Sequence, residues 1–331
     1  MTELMESLEW RMAQGLIRRQ KNEDGSLLIH NYTEHCQYGG HWDNVTLQAR
    51  GLVTTPQGHV VARPFQKFFN IGERHCPAIP ANDTYEVFEK IDGSCIIAFH
   101  YNGKWRMVTR GSFNNVYIDY ASRFLDGLEA FPQHWTIIFE VCLPSTLDPM
   151  PRVVNHEPGL YLLGGRDLYN GTDLEYDRLA QYWDGRCVQR FNGRSIDDLM
   201  REKHDLVGAE GWVVRWFGGL RMKVKGSWYL ALFRAVSDLS EKRIKELMVK
   251  TGIDDVVAEF PEELRDEAET LAGAIKERFV ARRGEVLKVF TEINTPIRKD
   301  FALKAVQHPD RDLLFLLYDG ASIDEKLIVR C

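Results

Sequence analysis

Near Ala235 the chain changes character, and that change limits what it can fold into. Before it, short apolar runs are separated by turn residues. After it, glycines thin out, and acids and bases fall on every turn of a helical pattern. With 331 residues the chain is also longer than one core commonly serves. We therefore expect two domains, an α+β domain over 1–235 and an all-α domain over 236–331, with antiparallel sheets and flanking helices in the first.

Leu4, Leu8, Met12 and Leu16 recur four apart, which predicts an amphipathic helix over 1–20. From about 26 to 72 the runs SLLIHNY, ARGLVTT, HVVARPF and KFFNIG read as strands. YEVFEK, SCIIAFHY and KWRMVTR read as three more, the last two joined by an Asn102-Gly103 hairpin. A helix follows, with Val116, Tyr120, Phe124 and Leu128 on one face, then the buried strands WTIIFEV and GLYLLGG. Helices are expected at about 174–183 and 195–204, and EGWVVRWF pairs with LRMKVKG around Gly218-Gly219. Ser240 before EKRIKELM is placed to cap a helix.

A net charge of −6 excludes a protein that binds nucleic acid with its whole surface, so any polyanion must be held by a local basic patch. The helical part is not that patch as a whole, with 20 acids against 16 bases over 235–331. Arg278, Arg282, Arg283 and Lys288 lie near one side of a predicted helix there. A solvated face is their first reading, a phosphate grip the second. Six scattered cysteines form no C-x-x-C and, with ten histidines, no zinc spacing. They read as free thiols in a reducing compartment. The first twenty residues begin with acids and hold no apolar core, and no apolar run approaches a membrane span. We expect a cytoplasmic protein with no membrane partner.

The chemistry-bearing positions come in order along the strands. Lys90 begins K-I-D-G. Arg110 sits in TRGS. Glu140 ends an apolar strand, where a carboxylate needs a partner. Tyr161 lies in LYLLG, and Glu210 opens EGWVV. Lys223 and Lys225, two apart on MKVK, share one face of a strand. Two ammonium groups side by side repel unless an anion lies between them. Each feature alone has a plainer reading: a solvated lysine before a turn, an exposed edge, a core aromatic. Trp212, Trp216 and Trp228 read as core.

The ordered set KIDG, TRGS, IIFEV, LYLLG, EGWVV, MKVK resembles the motifs of the covalent nucleotidyltransferases. QARGLVTT…VVARPFQKFFNIGE, with IHNY before it, resembles the N-terminal segment of the T4 RNA ligase 1 family. The resemblance covers about 25 to 235, and RKDFALKAV…LLFLLYDG is faintly similar to that family's helical domain.

The resemblance implies a ligase adenylyltransferase domain and an ATP-dependent RNA ligase. Lys90 attacks the α-phosphorus of ATP and releases pyrophosphate, AMP passes to an RNA 5′-phosphate, and a 3′-hydroxyl then displaces it. Positive charge from Arg110, Lys223 and Lys225 is the expected means of drawing the proton off Lys90. Gly93 brings the chain close to the nucleotide, and Asp92 either orients Lys90 or caps the turn. Tyr32, Arg50 and Lys67 contact the β- and γ-phosphates, while Lys223 and Lys225 stabilise the α-phosphate. Glu140 accepts from a ribose hydroxyl, and with Glu210 it holds Mg²⁺ or, in its place, Mn²⁺. Tyr161 stacks on adenine. The implied partners are RNA with 3′-hydroxyl and 5′-phosphate ends, tRNA among them, in RNA repair. No phosphate-binding G-x-x-x-x-G-K-[ST] loop is present, so end healing falls to a separate kinase and phosphatase. Two other readings stay open. One is a DNA ligase or another covalent nucleotidyltransferase such as a capping enzyme, against which stands the helical segment after MKVK. The other is a non-catalytic nucleotide- or RNA-binding protein, against which stand Lys90, Glu210 and Lys225.

Overall fold

The computed structural model describes residues 2–81, 84–150, 152–236, 239–252, 256–260 and 264–331. They form two compact units, Met1–Phe233 and Arg234–Cys331.

In the first unit, α1 (Glu3–Ala13) starts behind Thr2, whose hydroxyl accepts from the Met5 amide. It is shorter than the predicted 1–20 helix. The next residues are drawn into β1 (Ile17–Lys21), whose Ile17 pairs with Tyr32 of β2 (Leu28–Tyr32), and this pairing overrides the helical spacing of Leu16. Two short helices, α2 (Glu34–Tyr38) and α3 (Asn44–Gln48), interrupt the stretch read as strands. A capping box between Asp43 and Thr46 starts α3. β3 (Arg50–Thr54) and β4 (Val60–Ala62) complete an antiparallel sheet in the order β1-β2-β3-β4.

β5 (Phe69–Asn70) and β6 (Tyr85–Glu89) lead to a hairpin of β7 (Ser94–Tyr101) and β8 (Lys104–Thr109). Its Asn102-Gly103 turn has φ of 50° and 76°, matching the twist of the flanking strands. α4 (Val116–Ala121) passes into a 3₁₀ turn over Ser122–Leu128, where one long α-helix was expected. Then come β9 (Trp135–Cys142), β10 (Gly159–Asp167), α5 (Tyr176–Ala180), β11 (Arg186–Cys187), β12 (Arg190–Phe191) and α6 (Ile196–Glu202). The two helices fall inside the predicted 174–183 and 195–204. β13 (Gly211–Trp216) and β14 (Arg221–Lys225) pair around Gly218-Gly219, and α7 (Ser227–Val236) follows.

Two further sheets have the orders β11-β10-β9-β7-β8 and β12-β6-β13-β14-β5. All their pairings are antiparallel except β10 with β11 and β14 with β5. The first sheet buries Ile96, Ile137 and Phe139 against α4, the 3₁₀ turn and α5. Its other face sets Ile97, Phe99 and Val108 against Ile29 and Val53 of the β1–β4 sheet. The second sheet buries Val87, Trp212, Val214, Met222 and Val224 with Leu199 of α6. Trp212 and Trp216 are core, as expected, whereas Trp228 is only partly buried.

The second unit is helical: α8 (Glu241–Thr251), α9 (Arg265–Ile293), α10 (Arg298–Ala305), α11 (Arg311–Tyr318) and α12 (Asp324–Arg330). The Ser240 hydroxyl accepts from the Arg243 amide and caps α8. Ile244, Phe301, Leu313, Leu314 and Leu327 form its core. Arg278 pairs with Glu241, Arg282 with Asp310 and Arg283 with Asp324, which fits the reading of that face as solvated and ion-paired. All six cysteines are unbridged. Among the described residues, no helix is long and apolar enough to cross a membrane.

Candidate active site

The K-I-D-G turn joins β6 of one sheet to β7 of the other, so Lys90 stands where the two sheets meet. Its amide donates to the Gly211 carbonyl at 3.0 Å, which fixes the turn to the start of β13. Its Nζ lies 2.9 Å from Oε1 of Glu210, and Nζ of Lys225 lies 2.9 Å from the same oxygen. Glu210 is 3% exposed. Burial raises its pKa, but the Lys90 and Lys225 charges and hydrogen bonds outweigh burial and hold it below the usual carboxylate value. The nearest charge to Lys90 is thus a carboxylate rather than the expected cations. Gly211 is the register partner of Lys225, so no side chain crowds this ammonium from β13.

Alternation on β14 sorts its side chains. Met222 and Val224 enter the core with α6, while Lys223 and Lys225 share the other face, and both lysines are buried. Lys223 and the Arg50 guanidinium both lie over the Phe68 ring, at 5.6 and 5.5 Å from its centroid. Nζ of Lys67 lies among three rings, 5.9 Å from Tyr32, 5.7 Å from Trp42 and 4.9 Å from Phe69. Burial first, then the charges of Lys223, Arg50 and Arg110, push the Lys67 amine down to about 6, with Glu73 opposing. Nη1 of Arg110 donates to the Tyr32 hydroxyl at 3.2 Å. Tyr32, Arg50, Lys67, Arg110 and Lys223 are therefore gathered from five separate segments, a concentration of basic groups suited to a polyphosphate, whose charge would return the proton to Lys67. Trp42 and Phe69 complete the ring cage; Phe69 lies in RPFQKFF, whose mix of basic and apolar residues suits a buried phosphate shelf, while nothing in its local sequence marks Trp42 for it.

On the third side, Cys95 of β7, Glu140 of β9 and Tyr161 of β10 are cross-strand partners and so share a face. The Tyr161 hydroxyl donates to the Glu157 carbonyl at 2.9 Å, and the Arg186 guanidinium lies 5.7 Å from its ring centroid. Burial, with the charge of Glu210 adding, raises Glu140 to about 7 against Lys90, Arg152 and Arg50. Between the ordinary carboxyl value of 4.5 and about 7, the folded chain then keeps a proton on Glu140 that the unfolded chain gives up. Its stability falls as pH rises through that window. In metal-free buffer Glu140→Gln is expected to leave the Tm nearly unchanged at about pH 4, below both values, and to raise it near pH 8. Equal shifts at both pH values would refute this ionisation.

Asp92 neither orients Lys90 nor merely caps its own turn. Its Oδ2 accepts from the Val153 and Val154 amides, each at 3.1 Å, and its amide donates to Nε2 of His156 at 3.2 Å. Arg152 closes the arrangement. It donates to the Gly93 carbonyl at 2.7 Å, to Oγ of Ser94 at 2.8 Å and to Asp148 at 2.8 Å. Gly93 is needed for a close approach to β9: a Cβ there would lie 2.6 Å from the Val141 carbonyl and 2.7 Å from Cγ of Glu140. Arg152 and Asp148 were not singled out from the sequence.

Among the described residues no group of three or more His, Cys, Asp or Glu side chains is gathered to hold a metal. Glu140 and Glu210 do interact. Two carboxylates suit a hard divalent cation that keeps its waters and shares a polyphosphate, and they do not suit zinc.

A family model described as RNA ligase, of the T4 RNA ligase 1 type, matches residues 48–229. RNA ligase 1 of bacteriophage TS2126 is 29% identical over 242 residues, covering 63% of this chain and 57% of that protein. The chain thus spans little more than half the length of that relative. The RNA ligase of Rhodothermus phage RM378 is 22% identical over 388 residues, covering 89% of this chain and 86% of that protein. Among solved structures, an archaeal ATP-dependent RNA ligase superposes with a TM-score of 0.51 at 16% identity, covering 94% of this chain and 86% of that one, a likeness of fold.

Proposed function

The chain belongs to the RNA ligase family of the T4 RNA ligase 1 type, and from that premise we propose that it joins RNA 3′-hydroxyl and 5′-phosphate ends with ATP through a lysyl-AMP intermediate. The observation that carries this reading is Lys90 and Lys225 on one buried oxygen of Glu210, beside the cluster of Arg50, Lys67, Arg110 and Lys223. Residues 1–235 serve as the adenylyltransferase domain, and 236–331 form a helical C-terminal domain.

Lys90 is the nucleophile, and Glu210, in contact with its Nζ, positions it. Tyr32, Arg50, Lys67 and Arg110 hold the β- and γ-phosphates and stabilise the departing pyrophosphate. Lys223 and Lys225 lie over the α-phosphate, where negative charge grows during attack. Glu140 and Glu210 would hold Mg²⁺, or Mn²⁺ with the same oxygen preference, which when bound neutralises the triphosphate. Tyr161, on the face of Glu140, borders the adenosine. Breaks in RNA, tRNA included, are the proposed substrates, in the cytoplasm, with end healing by a separate kinase and phosphatase.

The test is a 5′-phosphorylated single-stranded RNA incubated with the chain, ATP labelled at the α-phosphate, and Mg²⁺. Label on the protein and a circular RNA product are the expected results, with the all-DNA counterpart sealed more slowly. Labelled protein with efficient sealing of DNA alone favours a DNA ligase. No label from ATP or GTP on folded chain not already adenylylated leaves a binding protein.

A further inference from the structure

A cavity of about 410 Å³ opens beside the phosphate end of this site, and none of the residues given a role above lines it. Its walls are Arg18, Arg19 and Gln20 of β1, Ile29 and Asn31 of β2, and Gly111 after β8. It abuts the site through chain neighbours: Asn31 precedes Tyr32 and Gly111 follows Arg110, and the Tyr32 and Arg110 side chains are hydrogen-bonded. Asn31 is 3% exposed, and its Oδ1 has no hydrogen-bond partner. A buried amide oxygen calls for a donor. Arg18 is 57% exposed, and its contact with Glu34 is a loose 3.6 Å. Such a surface pair exchanges readily for a phosphate. Arg19 is instead held by Glu9.

An accessible guanidinium above a buried acceptor suits a ligand with an anionic group and a hydroxyl donor. The volume is within the range of small-molecule pockets. The chemistry of the second step says which ligand arrives there. Displacement at phosphorus is in line, so the entering and leaving groups stand on opposite sides. Lys90 enters opposite pyrophosphate. When the P–N bond to Lys90 later breaks, the new P–O bond forms on the side pyrophosphate has left, and Lys90 leaves as an amine that takes up a proton. The RNA 5′-phosphate therefore stands at Tyr32 and Arg110, and the strand behind it must continue into a neighbouring space.

We propose that this cavity is a subsite for the 5′-phosphorylated strand, with Arg18 on its first internucleotide phosphate and Asn31 accepting from a ribose 2′-hydroxyl. The inference rests on the ligase reading above. The experiment isolates adenylylated chain, adds 5′-phosphorylated adenosine as the mononucleotide or the dinucleotide, and follows AMP transfer. The unmodified chain is expected to show a KM about tenfold lower for the dinucleotide, the worth of one charge-assisted contact. Arg18→Gln and Gln20→Glu are each expected to erase that advantage, with self-adenylylation and transfer to the mononucleotide unchanged. Asn31→Leu is expected to equalise the dinucleotide and its 2′-deoxy form. A dinucleotide advantage that survives both Arg18→Gln and Gln20→Glu overturns the subsite while leaving the ligase reading intact. Failure of the unmodified chain to self-adenylylate overturns the ligase reading, and this inference with it.

Discussion

Lys90→Ala is expected to abolish transfer of label from ATP to the chain, by about four orders of magnitude or more, while RNA supplied with a 5′-adenylylated end is still sealed. The two halves follow from the division of the reaction. In the proposed reaction only the first two steps pass through an amine, because in the last a ribose hydroxyl displaces AMP from RNA. Lys90→Arg is expected to fail in the same way, since a guanidinium does not give up its proton. The fold is not at stake: Lys90 is 21% exposed, and without it Glu210 still keeps Lys225 at 2.9 Å. Gel labelling and a sealing assay on pre-adenylylated RNA check both halves. Persistent label on the Lys90→Ala chain would move the nucleophile elsewhere.

Glu210→Gln is expected to damage stability and chemistry together. Its carboxylate is 3% exposed, and one oxygen serves two ammonium groups. The amide carries no charge to answer them, and stripping one partner from a buried charge pair costs about 3–5 kcal/mol. A markedly lower Tm and loss of self-adenylylation are the expected results. Glu210→Gln combined with Lys225→Met is expected to recover much of the Tm, because the second change removes the stranded charge, without recovering activity. Near-additive losses of stability in the double variant would show that the two residues are not coupled.

Much of this centre was legible in the sequence because each chemical group sits at the end of a strand whose pattern is local. K-I-D-G, the Glu140 strand and M-K-V-K could be aligned without knowing how the sheets meet. The lysine pair was legible from alternation alone, since Met222 and Val224 face a core and leave Lys223 and Lys225 on one side. The rest depends on pairings far apart in the chain. Leu16 continues a helical spacing, yet β1 is claimed by β2, and propensity yields to tertiary pairing. The Asp43–Thr46 capping box was a readable start for α3 that the surrounding strand runs obscured. Arg152, Trp42 and Asn31 carry no local mark, because their neighbours arrive only with the folded chain.

The turn that presents Lys90 is held from afar. Arg152 is 59 residues from the Gly93 carbonyl it binds, and the amides bound by Asp92 are 61 and 62 residues away. Closing such a span is entropically slow, whereas the β7–β8 hairpin closes over two residues. The geometry of the Lys90 turn is therefore expected to form late in folding, and a nick or insertion between β9 and β10 is expected to disturb that turn from a distance in the chain. Hydrogen exchange on such a chain should find the amides of β7 and β8 still protected while those of Asp92 and Val154 exchange with solvent.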